Sequence, residues 1–155
     1  MVVMAKKISL DQAVRKRVID LLALSELSEL RSLWEALNDK PEAEFLRGPE
    51  TGLVMVRGRI GGGGAAFNLG EVTATRATCR VASGHIGHAY ALGTGIEKAK
   101  LSAIFDALWQ QDSHRAPIEA LLQQIETRVT EADQARVSET AATKVDFFTM
   151  VRGED

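Results

Sequence analysis

The sequence predicts an α+β fold: a small antiparallel sheet with a glycine-rich hairpin, flanked by N-terminal and C-terminal helices and ending in a β-prone tail. Three observations predict it. Residues 44–93 are rich in Val, Thr and Ala, with the period-2 alternation of strands. The segments on either side place apolar residues at helical spacing. Ser83-Gly84 sits between two strand-like runs, where a two-residue hairpin turn belongs.

Residues 9–38 read as a helical pair. Ser9 and Gln12 fit a capping box, followed by Val14, Val18, Leu21 and Leu22 at helical intervals. A second helix is expected from Ser25, with Leu27, Leu30, Leu33, Trp34 and Leu37 as its apolar stripe. Asn38, Asp39 and Pro41 end it. That stripe is a core or partner-helix surface.

In the β region, alternation places Val54, Val56 and Ile60 on one face and Arg57 and Arg59 on the other. Gly61, Gly62, Gly63 and Gly64 then favour a sharp turn or a close backbone approach. After them the phase slips twice. Phe67 and Leu69 share one parity, Val72 and Ala74 the other, and Ala77, Cys79 and Val81 revert, which suggests bulges or a sheet covered on both sides. If the glycines form a hairpin loop, Glu71 falls opposite Arg57 or Arg59. A turn at Ser83-Gly84 pairs Val81 with Ile86, Cys79 with His88 and Ala77 with Tyr90 on one apolar face.

Thr94 and Glu97 read as a second capping box, opening a helix to about Gln111 with apolar residues over a broad arc. Asp112 to Pro117 reads as a break. Ile118, Leu121, Leu122, Ile125 and Val129 mark a further helix, while 131–143 carry little apolar pattern: a helix resting on a partner, or a mobile arm. The segment 145–153 closes the chain as a β-prone tail, and all 155 residues read as one domain.

Composition narrows the function. The net charge is −2 and aromatics make up 5% of the chain, against both the basic footprint of duplex binding and a base-stacking platform. The lone Cys79 permits no internal disulfide and suits a reducing cytoplasm. No apolar run reaches the roughly 20 residues that span a bilayer, so no membrane partner is expected.

Residues 61–66 satisfy G-x-G-x-x-A after a strand, but strand rather than helix follows, so the dinucleotide reading fails. A backbone nest for an anion is the minority alternative to a plain hairpin loop. His85 and His88, three apart on a strand, point to opposite faces, and no metal site is expected from this chain alone. Glu71 with Asp106 or Glu97 is a conceivable carboxylate pair, with solvated or ion-paired acids the default. No nucleophile–base pair is legible. Arg57, Arg59, Arg76 and Arg80 form the one suggestive constellation: guanidinium forks suit phosphate oxygens, and equally suit carboxylates.

Four stretches, taken in order, resemble the PhnG subunit of the bacterial carbon–phosphorus lyase system. They are Glu50-Thr-Gly-Leu-Val-Met-Val-Arg-Gly-Arg with its glycine run, Phe67-Asn-Leu-Gly-Glu-Val-Thr-Ala-Thr-Arg76, Gly87-His-Ala-Tyr-Ala-Leu-Gly93 and Val145-Asp-Phe-Phe-Thr-Met-Val-Arg-Gly153. The likeness runs from about Ala13 to Glu154. It departs at Gly63, where a Gly-Thr-Gly-like loop is the family expectation. The resemblance implies a non-catalytic or accessory subunit working with PhnI-, PhnH-, PhnJ- and PhnL-type partners. Together they support transfer of a phosphonate to ribose C1 of ATP with release of adenine. It implies no cofactor in this chain, ATP as a substrate of the complex, and no established catalytic residue. The alternative is a free-standing anion- or nucleotide-binding module built on Gly61–Gly64 and the nearby arginines. Candidate contact residues are therefore Arg57, Arg59, Gly61, Gly62, Gly63, Gly64, Glu71 and Arg76, with Phe147, Phe148, Met150 and Arg152 in the tail.

The tail generates a prediction. Val145 to Val151 docks as an added strand on another subunit or on this chain's own sheet edge, since both of its faces are apolar. Burying Phe147, Phe148 and Met150 contributes on the order of several kcal/mol before ordering costs. Deletion from Val145 onward is expected to prevent entry into a full-size complex on size-exclusion of co-expressed subunits. An unchanged elution profile counts against it.

Overall fold

The computed structural model describes residues 10–143, so Ser9 and the predicted tail with Phe147, Phe148, Met150 and Arg152 lie outside the described residues. The order is α1 (Leu10–Leu24), α2 (Leu27–Ala36), β1 (Ala43–Arg59), β2 (Ala66–Val81), β3 (Ile86–Leu92), α3 (Ile96–Trp109) and α4 (Asp112–Ala142). A 3-10 turn at Ile60–Gly62 leads out of β1. The three strands form one antiparallel sheet in the order β1-β2-β3, giving an α+β architecture.

The core is built around α3. Its residues Ala99, Leu101 to Leu108 are all buried, because the sheet covers one side and α1, α2 and α4 close over the other. Phe105 is fully buried and meets Trp34 of α2 edge-on, ring centroids 6.3 Å apart. The face α3 presents to the sheet is a small-residue ridge, Ala99, Ala103 and Ala107, four residues apart. Opposite it on β3 stands Gly87, where an added Cβ would come within 1.9 Å of the Ala103 carbonyl oxygen. Glycine is required there by the approach of two backbones, whatever its own torsions.

The hairpin between β2 and β3 corrects the sequence register by one residue. Ile86 lies opposite Arg80, Gly87 opposite Cys79, His88 opposite Thr78 and Tyr90 opposite Arg76. The loop holds three residues, Ala82 to Gly84, rather than two. The Gly84 amide donates to the Val81 carbonyl at 2.8 Å, and Gly84 takes φ 87°, the left-handed residue that a three-residue hairpin needs. The inward set is therefore Ala77, Cys79 and Val81 with Gly87, Ala89 and Ala91, all buried, while His88 and Tyr90 face outward.

Three further expectations change. The α3 N-cap is Gly95, without a side-chain cap, because the Glu97 carboxylate turns instead to Arg31 of α2, whose Nε donates to it at 2.7 Å. Residues 112–117 begin a helix rather than interrupt one. Pro117 lies six residues in, where its missing amide leaves only the Ser113 carbonyl without its intrahelical bond. The helix at Leu27 starts behind Glu26, whose amide donates to Glu29 at 2.7 Å, while Ser25 closes α1 through the Leu22 carbonyl.

Beyond the domain, two elements project. Residues 131–141 of α4 are exposed one after another, a helical extension about 17 Å long. The distal halves of β1 and β2 pair with each other past the end of β3, forming a two-stranded ribbon.

Gly87→Ala tests the helix–sheet contact. The added methyl must displace α3 backbone, an overpacking cost on the order of 3 kcal/mol. Urea unfolding is expected to show that loss, whereas Gly52→Ala, with nothing within 4 Å of its Cβ, should change the midpoint far less.

Candidate functional site

Strand geometry divides the predicted constellation: Arg57 and Arg59 lie on the ribbon, Arg76 and Arg80 in the three-stranded part of the sheet. Glu50 pairs with Arg76 across the strands, and the Arg76 Nε donates to Glu50 at 2.7 Å, with Arg47 on the same carboxylate at 3.1 Å. Arg80 faces Glu44 at 3.9 Å. Arg57 and Arg59 stand further out, opposite Asn68 and Ala66, and by strand alternation on the other side of the sheet from Arg76 and Arg80. The four guanidinium groups thus do not converge on one anion. Glu71 lies opposite Met55, not Arg57 or Arg59, because the short connection at residues 60–65 already sets Arg59 opposite Ala66 and Arg57 opposite Asn68, leaving Glu71 further from the tip.

The glycine turn is likewise occupied with itself. Gly61 takes φ 62°, and the amides of Gly63 and Gly64 both aim at the Ile60 carbonyl, the latter at 3.2 Å. Those two donors are spent inside the turn, so the nest reading loses the amides it needs. Beside Arg76, a depression of about 180 Å³ is walled by Gly52, Leu53, Val54, Ala74 and Tyr90. That is below the roughly 300 Å³ at which small-molecule pockets begin.

The conceivable carboxylate pair also separates. Asp106 is fully buried in α3, Glu97 is held by Arg31, and Glu71 is out on the ribbon. Each histidine finds a neighbouring hydroxyl through Nδ1: His85 with Ser83 at 3.0 Å, His88 with Thr78 at 3.1 Å, His114 with Ser113 at 2.9 Å. No group of three or more metal-ligating side chains occurs among the described residues. Cys79 faces the helices opposite Gly87, and burial pushes its thiol up to about 11.

Sequence reading passed over the polar centre of the fold. Asp106 accepts Nη2 of Arg15 at 2.9 Å, its Nε at 3.3 Å and the His88 amide at 2.8 Å. Arg15 also donates to the Ile86 carbonyl at 2.8 Å. One carboxylate therefore ties α1, β3 and α3 together. The only sequence signal is an acid inside the most apolar helical run of the chain. A second junction joins α4 to α2, where Arg128 Nε and Nη2 donate to Glu29 at 2.9 and 3.0 Å. Burial raises the Glu29 pKa, but the bonds from Arg128 and the Glu26 amide outweigh it, leaving the group below the usual carboxylate range.

Among the described residues, the exposed surface includes large apolar side chains on the ribbon. On the outward face of the ribbon, Val54 pairs with Val72, and the Leu69 bulge brings Leu69 and Phe67 to the same side. The first phase slip in the sequence is this bulge. The second is a change in which face is apolar: helix-covered from Thr75 onward, uncovered before it.

Such an arrangement, with polar groups used for cohesion and a projecting ribbon that exposes apolar side chains, defines an α+β domain with an open β-ribbon. The chain belongs to the family of the phosphonate metabolism protein PhnG, whose family model matches residues 13–153. A relative from Rhizobium meliloti (strain 1021), the alpha-D-ribose 1-methylphosphonate 5-triphosphate synthase subunit PhnG, is 57% identical over 143 residues, 92% of each chain.

The Glu29 and Cys79 environments predict opposing pH limbs. Glu29 holds its proton less tightly folded than unfolded, so its contribution is present above about pH 4.5 and lost as pH falls. Cys79 holds its proton more tightly folded, so stability declines as pH rises from about 9 towards 11. Melting temperature should fall at both ends. Glu29→Gln should flatten the acid limb, and Cys79→Ala the alkaline one.

Proposed function

We propose that this chain is a non-catalytic subunit of an alpha-D-ribose 1-methylphosphonate 5-triphosphate synthase, acting in phosphonate catabolism within a carbon–phosphorus lyase core complex. The observation that carries this reading is 57% identity spread over 92% of both chains with a subunit of that name. Its companions are PhnI-, PhnH-, PhnJ- and PhnL-type subunits, in the cytoplasm; no helix among the described residues is long and apolar enough to cross a membrane. In the reaction, the bond from ribose C1 of ATP to adenine breaks and a bond from C1 to a phosphonate oxygen forms. ATP is a substrate of the complex, and this chain carries no cofactor of its own. The dispersed arginines and the self-bonded glycine turn support an architectural part. They also leave the free-standing anion-binding reading without a site.

The purified chain alone is expected to give no adenine from ATP and methylphosphonate, by chromatographic assay. Omitting it from the co-expressed subunits should lower adenine release at least tenfold. Turnover by the lone chain overturns the non-catalytic role, and undiminished release without it overturns the subunit reading.

A further inference from the structure

We propose that the ribbon of residues 52–59 and 66–73 is clasped on both faces by a different polypeptide, through a groove that is apolar on one wall and lined with carboxylates on the other. The proposal rests on the subunit reading above, in that a companion subunit supplies that polypeptide.

The first support is hydrophobic. On the outward face Val54 and Val72 are each 36% exposed, Phe67 39% and Leu69 61%, forming one continuous surface. On the opposite face Leu53 is 66% and Met55 49% exposed. A two-stranded ribbon has no core of its own and is marginal in water, so neither face is stabilised by the pairing alone.

The second support is charge. Arg57 and Arg59 share the face of Leu53, Met55 and Glu71, are exposed, and have no hydrogen-bond or ion-pair partner among the described residues, Glu71 standing opposite Met55. Two positions apart on one strand face, with Cα atoms about 7 Å apart, the two arginines set like charges side by side. Carboxylates relieve that repulsion with forked hydrogen bonds, whereas the same pair from a second copy would add to it.

Exposure on both faces favours a wrapping partner. A second copy laid on the outward face alone leaves Leu53, Met55 and both arginines in water. A polypeptide that wraps both faces and the tip covers them and neutralises the charge.

The test uses the full chain co-expressed with its companion subunits. A photo-crosslinking phenylalanine analogue is placed at Leu69 in one variant and at Met55 in another. Both are expected to give adducts with a companion subunit. Adducts only with a second copy, only with residues 145–151 of this chain, or none at all overturn the clasp. In parallel, Phe67→Glu with Leu69→Glu, and separately Arg57→Glu with Arg59→Glu, should each cut assembled complex at least tenfold without moving the isolated chain's melting temperature. Arg57→Lys with Arg59→Lys should retain most of it. If wild type assembles and the ribbon variants assemble equally, the clasp is wrong and the subunit reading stands. A wild-type chain that joins none of the companions overturns both.

Discussion

The structure depends on how closely α3 lies against β3. Gly87 and the ridge of Ala99, Ala103 and Ala107 let the two backbones meet, and that nearness brings Asp106 within 2.8 Å of the His88 amide. Once α3 is seated, its carboxylate is fully buried and must be satisfied, since an unpaired buried charge is far costlier than a paired one. Arg15 satisfies it from α1 and caps the Ile86 carbonyl at the same time. The position of α1 thus follows from that of α3. α2 and α4 are then locked to each other by Glu29 and Arg128 over the side of α3 that the sheet leaves open.

This packing uses only half of the sheet. β3 ends at Leu92, opposite Ala74, and beyond that point β1 and β2 continue with no helix of the described residues over them. On β2 the apolar positions change face where the cover stops, from Ala77, Cys79 and Val81 inward to Val72, Leu69 and Phe67 outward, while β1 exposes Leu53 and Met55 on the other face. The ribbon thus carries exposed apolar side chains on both sides, unlike a solvated hairpin.

The polar groups are distributed by the same logic. Arg15, Arg17, Arg31, Arg76 and Arg128 all serve cohesion within the chain, between helices or across strands. Arg57 and Arg59 lie beyond the bulge at Leu69, opposite Asn68 and Ala66, exposed and without an ion-pair partner among the described residues.

By itself, the sequence determined the α+β class, the core stripes of α2 and α3 and the position of the β2–β3 turn, because each follows from periodicity within a few residues. The family likeness was legible for the same reason, being carried by short ordered motifs. The tertiary structure alone decided the register after that turn: a three-residue loop and a two-residue loop use the same Ser83-Gly84 signal yet differ by one pairing, which moves His88 from the core to the outer face. It also decided that Glu97 answers Arg31 instead of capping its own helix, and that Asp106, Arg15 and the His88 amide form one centre. Those partners lie 91 and 18 residues apart along the chain. Local pattern cannot encode them, because the contact exists only after α3 has closed on β3.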